Sequence, residues 1–83
     1  MNKKTYFLDC LNVHLARIAV LPSRIQNSTI AVFQAEAYMI PEHAIPENPA
    51  NAALEFYECA MGMRASAPPW LTEWEETKEK SDR

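Results

Sequence analysis

The sequence predicts a mainly α-helical protein that folds as a single small domain of three to four helices. The first reason is composition, because one glycine and twelve alanines among 83 residues favour helices over sheets, which need glycine at their turns. The second is the spacing of proline, which divides the chain into four segments at Pro22, at 41–49 and at 68–69. We therefore expect a compact domain over residues 1–67, followed by a tryptophan-containing helix and charged tail over 68–83.

The first segment, from about Thr5 to Leu21, repeats its apolar residues with the period of an α-helix. Six of them share one face of such a helix: Phe7, Leu8, Leu11, Leu15, Ile18 and Leu21. A second, thinner apolar stripe lies on the far side and consists of Tyr6, Val13 and Val20. A helix that is apolar on two sides is either sandwiched inside its domain or shared with another chain.

The second segment, from about Ser28 to Ile40, is apolar almost all round, since Gln34 and Glu36 are its polar interior residues. As a helix it has no face suited to water, so we expect it to be deeply covered. Read with a period of two, it fits a half-buried strand about as well. This leaves an α+β alternative, in which N-terminal strands pack on the helix near residues 49–64.

The third segment has the clearest start signal. Asn48 is suited to cap a helix, and Pro49 is suited to its first position. An apolar face follows, and Leu54, Tyr57 and Met61 widen it beyond what one small core requires. We therefore predict a helix here whose apolar arc is only partly used inside the domain.

The fourth segment begins at Pro68 and Pro69, and it carries two tryptophans one helical turn apart. Glutamates surround the pair. The stretch either closes the domain's own core or presents an aromatic face with an acidic rim to a groove on a partner. The residues that the second interpretation assigns to partner binding are Trp70, Leu71, Trp74, Glu73, Glu75 and Glu76.

Charge is divided unevenly along the chain. Residues 1–35 carry a net charge of +3 and residues 36–83 a net charge of −6, and the pI of the whole is near 5.3. Tight binding to a phosphate backbone needs many cations on one face, so we do not expect nucleic acid as a partner. The acidic half is suited instead to a basic surface on another protein.

We expect the protein to be cytoplasmic. Polar residues interrupt the stretch after Lys3 and Lys4, where a secretory signal needs an unbroken apolar run. No run approaches the length that spans a bilayer, so we expect no membrane association. Cys10 and Cys59 are then free thiols in a reducing compartment.

A metal site or cysteine-based catalysis would have to use Cys10, His14, His43 and Cys59. Cys10 and His14 share one face of a helix, and zinc accepts such ligands. His43 and Cys59, however, have no ligating neighbour of their own, and no glycine-rich or oxyanion-forming turn lies near either cysteine. We therefore predict no enzymatic activity, no metal site and no cofactor.

Residues 14–25 resemble the helix, tight turn and second helix of repressor-type helix-turn-helix proteins. The resemblance implies an alternative function, a small DNA-binding transcriptional regulator built on about residues 12–30. The residues that would touch DNA are Arg17, Arg24, Gln26 and Asn27. The sequence departs from the motif at the turn, where Val20 stands in the usual glycine position and Pro22 follows.

The function that these patterns favour is a small interaction or inhibitor module without catalysis, which acts through apolar and acidic surfaces. The reason is a surplus of apolar side chains over what a lone 83-residue core covers, and exposed patches of this kind commonly mark interfaces. We expect a homodimer. The residues assigned to self-association are Tyr6, Val13, Val20, Leu54, Tyr57 and Met61.

Overall fold

Four α-helices and one short 3-10 turn make up the fold in the computed structural model, which describes residues 2–19 and 24–81. Side chains are described at 2–17 and 30–78. The helices are α1 (Lys3–Ala19), α2 (Arg24–Met39), α3 (Pro49–Ala60) and α4 (Pro69–Ser81), with the 3-10 turn at Glu42–Ala44. No strand occurs in the described ranges, so the mainly α prediction is confirmed and the α+β alternative is wrong.

α1 begins earlier than the apolar pattern indicated because Asn2 caps it. The Oδ1 atom of Asn2 accepts a hydrogen bond from the Thr5 backbone N–H at 2.7 Å. This bond satisfies one of the donors that a helix start leaves free. At the other end of the predicted segment, Val20 and Leu21 lie outside the described residues, and so does the side chain of Ile18.

The core lies between α1 and α3, and Phe7 is at its centre. Phe7 is 0% exposed, and its ring meets the rings of Phe56 and Trp70 edge to face, with both centroid separations at 6.1 Å. The three rings belong to α1, α3 and α4, so one side chain joins three helices. The other buried apolar residues are Leu11, Leu15, Ala37, Ile40, Ile45, Ala52, Ala53 and Leu71.

α2 packs against α1 as an antiparallel hairpin. The Nζ atom of Lys4 donates to the backbone carbonyl of Tyr38 at 2.7 Å, and Nε2 of Gln34 donates to Oδ1 of Asn12 at 3.2 Å. The end of α2 therefore meets the start of α1. Helix-turn-helix units cross at about 90–120°, so this pairing differs from the arrangement that the resemblance over residues 14–25 implies.

The expectation that α2 is deeply covered is wrong. Ala37 is buried, but the opposite side of the helix is exposed. The exposed residues on that side are Ala31, Val32, Ala35, Tyr38 and Met39. The physical reason is that α2 packs mainly on α1, so only one side of it is covered. An apolar face is therefore left in contact with water.

α3 begins as the sequence predicts. The Asn48 side chain accepts a hydrogen bond from the Asn51 backbone N–H at 3.2 Å, and Pro49 occupies the first helical position. The preceding 3-10 turn is followed by Ile45, which is buried and holds this loop on the core. The cap and the buried residue together fix where the loop ends and α3 starts.

α3 ends at the only glycine of the chain. Gly62 has a φ of +70°, the left-handed conformation that other residues rarely adopt. The Met63 N–H donates to the Glu58 carbonyl at 2.8 Å, and the Gly62 N–H donates to the Cys59 carbonyl at 3.1 Å. These two bonds form a Schellman C-cap, which turns the chain away from α3 towards α4.

The molecule is thin in one direction. Its extents are 38 × 31 × 22 Å, and the shortest of them equals about two helix diameters. A helix in such a layer keeps at least one side at the surface. In the ranges that the structure describes, no helix is both long and apolar enough to cross a membrane.

The φ of Gly62 generates a prediction about stability. A Cβ added at this position meets no atom within 4 Å, so Gly62→Ala introduces backbone strain and no clash. We expect a loss of about 1 kcal/mol in the free energy of unfolding, and a smaller loss for Gly62→Asn, because asparagine tolerates this conformation. Urea unfolding measures both variants, and a Gly62→Ala protein as stable as the wild type would contradict the left-handed turn.

Candidate functional site

An open groove of about 680 Å³ runs between the 3-10 turn and α4. One wall is formed by residues of α4: Trp70, Glu73, Trp74, Thr77 and Lys78. The opposite wall is formed by the end of α2 and the loop after it: Met39, Pro41, His43 and Ala44. Concave sites of about 300–1,000 Å³ with mostly apolar walls and a few polar groups are typical of binding sites.

Trp70 is the fixed part of the groove wall. Its indole packs edge to face on Phe7, and its Nε1–H donates to Oε1 of Glu55 at 3.3 Å. Glu55 is held in turn by Asn51, whose Nδ2 donates to the same oxygen at 3.3 Å, and by Arg64, whose guanidinium lies 3.5 Å from the other oxygen. Trp70 is therefore oriented by the core on one side and by a hydrogen bond on the other.

Trp74 lies one helical turn further along α4 and is half-buried. The Nζ atom of Lys78 stands 5.3 Å from the centroid of its ring, a distance at which cation–π attraction operates. Trp74 also borders a second, smaller depression of about 70 Å³ between α2, α3 and α4. Its ring therefore lies between the groove and the smaller depression, and it already makes a cation–π contact with Lys78.

The six residues assigned to partner binding lie in different environments. Leu71 is 4% exposed and belongs to the core, which corrects its assignment to a partner-binding surface. Glu73 is exposed and lines the groove, whereas Glu75 borders the smaller depression. Glu76 is exposed and lines neither of these hollows. In the groove, the structure therefore brings the two tryptophans together with one of the three glutamates, Glu73.

The residues assigned to self-association are at or near the surface where the structure describes them. Four of them are exposed: Tyr6, Val13, Leu54 and Met61. Tyr57 is half-buried, and Val20 lies outside the described residues. The two stripes inferred from the sequence are therefore largely open to water.

A ring stack brings the α1 stripe next to the α3 stripe. His14 of α1 and Tyr57 of α3 have centroids 5.2 Å apart and ring planes 24° apart. Cys10 is four residues from both Tyr6 and His14, so it lies between them on the surface of α1. The stack therefore joins the two helices at their surface, and we call the area formed by Tyr6, Val13, Leu54, Tyr57 and Met61 the α1/α3 surface.

Sequence reasoning missed two other parts of the exposed apolar surface. Val32, Tyr38 and Met39 on α2, together with Met63 after α3, are between 54% and 64% exposed. The signal that points to the α2 residues is the scarcity of polar side chains around that helix. The same pattern also fits a buried helix, so the sequence alone does not separate the two.

The residues considered for metal binding or cysteine catalysis have separate surroundings. His14 stacks on Tyr57, whereas His43 lines the groove. Cys10 and Cys59 are half-buried free thiols. Over the described part of the chain, no three His, Cys, Asp or Glu side chains are grouped so that they could hold a metal ion.

Comparison of the chain with models of protein families, with curated proteins and with solved structures finds no match in any of the three. Two features of the geometry bear on function, the groove along α4 and the α1/α3 surface. The structure describes the side chains of every groove residue and, of the six residues assigned to self-association, all but Val20.

The different burial of two neighbours on α4 generates a prediction. We expect Leu71→Ala to lower the free energy of unfolding by about 2–5 kcal/mol, since it leaves a cavity in the core. Trp74→Ala should lower it by less, because Trp74 is only half-buried. Urea unfolding followed by circular dichroism measures both. Equal losses, or a larger loss for Trp74→Ala, would place Trp74 in the core and contradict its role as a groove wall.

Proposed function

We propose that this protein is a small non-catalytic interaction module that acts through apolar and acidic surfaces and associates with itself. The observation that carries the proposal is the exposure of large apolar side chains. Among the described residues, eight of them are between 37% and 64% exposed. Single exposed apolar residues are ordinary on monomeric proteins, but here several of them share the same helix faces.

The α1/α3 surface is the part best suited to self-association. Tyr6 and Val13 lie on its α1 side, and Leu54 and Met61 lie on its α3 side. A two-fold dimer brings the same patch of each chain together, so the apolar residues of this surface would meet the apolar residues of its copy. We therefore assign the dimer contact to this surface.

The acidic half supplies a second means of recognition. Over the described side chains, residues 36–78 carry eight carboxylates against Arg64 and Lys78. A basic surface on another protein is the complement of such a field. If that basic surface is the partner's own functional site, its occupation inhibits the partner, so an inhibitor role follows from the same charge.

The alternative of a DNA-binding regulator lacks comparable support among the described residues. α1 and α2 pair antiparallel, which differs from the crossing of a helix-turn-helix unit. Arg17 is exposed, but the side chains of Arg24, Gln26 and Asn27 lie outside the described residues.

Val13→Glu tests the proposed dimer contact. Val13 is 58% exposed, so the substitution spares the core while it places a charge in the α1/α3 surface. We expect the wild-type chain to have twice the chain mass of 9.5 kDa and Val13→Glu to have that mass once. Light scattering after gel filtration measures both, and circular dichroism checks that the variant is folded.

Thr5→Glu is the matched control, because it adds the same charge to an exposed position of the same helix. Thr5 is the third residue after the Asn2 cap, where glutamate favours the start of a helix. This variant should remain dimeric. A wild-type chain that is monomeric at high concentration, or a Val13→Glu chain that stays dimeric, would overturn the assignment.

A further inference from the structure

We infer that the groove along α4 binds an arginine side chain presented by a partner polypeptide, with the guanidinium stacked on Trp74 and paired with Glu73. This inference rests on the proposed function, since it names what one surface of the interaction module recognises. The groove and the α1/α3 surface consist of different residues. Arginine binding and self-association can therefore be tested, and contradicted, independently of each other.

Trp74 is placed to receive a cation because it already holds one. The ammonium group of Lys78 stands 5.3 Å from its ring centroid. The face of an indole attracts cations, and arginine makes this contact more often than lysine. Its planar guanidinium stacks on the ring and is more weakly hydrated than an ammonium group. An arginine from a partner can thus take the place of Lys78 on the ring.

Glu73 supplies the counter-charge. It precedes Trp74 in α4, lines the same groove and is exposed. None of the ion pairs in the described ranges uses Glu73, whereas Glu55 and Glu58 are both paired with Arg64. Its carboxylate can therefore accept the two parallel hydrogen bonds that a guanidinium donates.

Trp70 has a different part in the same site. Its N–H donates to Glu55 and its ring packs edge to face with Phe7, so the wall that it forms is held from two sides. Across the groove, Met39 and Pro41 offer apolar surface to the aliphatic stem of an arginine and to its neighbours. The volume of about 680 Å³ is large enough for more than one side chain.

The charge of the acidic half favours a cationic ligand. Eight carboxylates and two cations lie on the described side chains of residues 36–78, and of these Glu73 and Lys78 line the groove itself. The field of this half attracts cationic segments, and Glu73 is the carboxylate that meets them in the groove. A neutral peptide finds the same apolar walls without this attraction. Charge complementarity therefore favours a basic partner segment as the occupant of the groove.

The experiment compares three short peptides that differ at one side chain. Each is acetylated and amidated, with two leucines flanking arginine, lysine or citrulline, which has the shape of arginine without its charge. The full chain labelled with ¹⁵N has two tryptophans and hence two indole N–H signals. The Trp74→Phe variant assigns them.

We expect the arginine peptide to shift the Trp74 indole signal in a saturable way. The citrulline peptide should bind about three- to thirtyfold more weakly, because it loses both the cation–π contact and the ion pair. The lysine peptide should fall between the two. An unmoved Trp74 signal, or equal affinities for the arginine and citrulline peptides, would overturn the inference.

Substitutions of two groove residues should change the affinity for the arginine peptide in opposite directions. Glu73→Gln should weaken binding about two- to fivefold, because it removes the ion pair. Lys78→Gln should strengthen binding about two- to fivefold, because it removes the competing cation from Trp74. An unchanged affinity in either variant would contradict the stacked and paired geometry.

Glu76→Gln is the matched control for Glu73→Gln. It removes the same charge from an exposed position of α4 that does not line the groove. Glu76→Gln should weaken binding of the arginine peptide less than Glu73→Gln does. Equal losses of affinity would contradict a local ion pair with Glu73 and would indicate attraction by the overall charge instead. Light scattering on the same samples distinguishes the two proposals, because it tests self-association and not arginine binding. If the chain is a dimer and the Trp74 signal does not move, the arginine site is contradicted and the proposed function is not.

Discussion

The rest of the structure depends on the meeting of three aromatic rings at Phe7. The Phe7 ring is fully buried and contacts Phe56 and Trp70 edge to face. Such pairs contribute about 0.5–1.5 kcal/mol beyond the burial of their area, and they fix orientation as well as distance. Because the rings come from α1, α3 and α4, one side chain near the start of the chain holds its last helix in place.

The groove takes its shape from this contact. Trp70 is a neighbour of Phe7 on one side and a wall of the groove on the other. α4 passes from core to surface within two turns, since Leu71 is buried, Trp74 is half-buried and Lys78 is exposed. The residues proposed to bind arginine therefore stand on a rigid helix and not on a loop, which keeps their geometry close to that of the bound state.

Local rules explain which parts of the molecule could be predicted from the sequence. The start of α3 follows from Asn48 and Pro49 because a cap and a first-turn proline act through neighbouring atoms. The exposure of α2 could not be predicted, because an apolar helix is either buried or left open according to which other elements reach it. The site was predictable in part. The sequence places Leu71 beside Trp74, but only tertiary packing decides which of them faces α1 and α3.

The turn at Gly62 uses the one glycine of a sequence that also contains six prolines. This composition has a thermodynamic consequence for the whole chain. An unfolded chain with so few glycines and so many prolines samples fewer backbone conformations. It therefore loses less conformational entropy when it folds. Part of the stability of a two-layer molecule with a modest core therefore comes from the restricted conformational freedom of its unfolded chain. No contact in the native state accounts for this contribution.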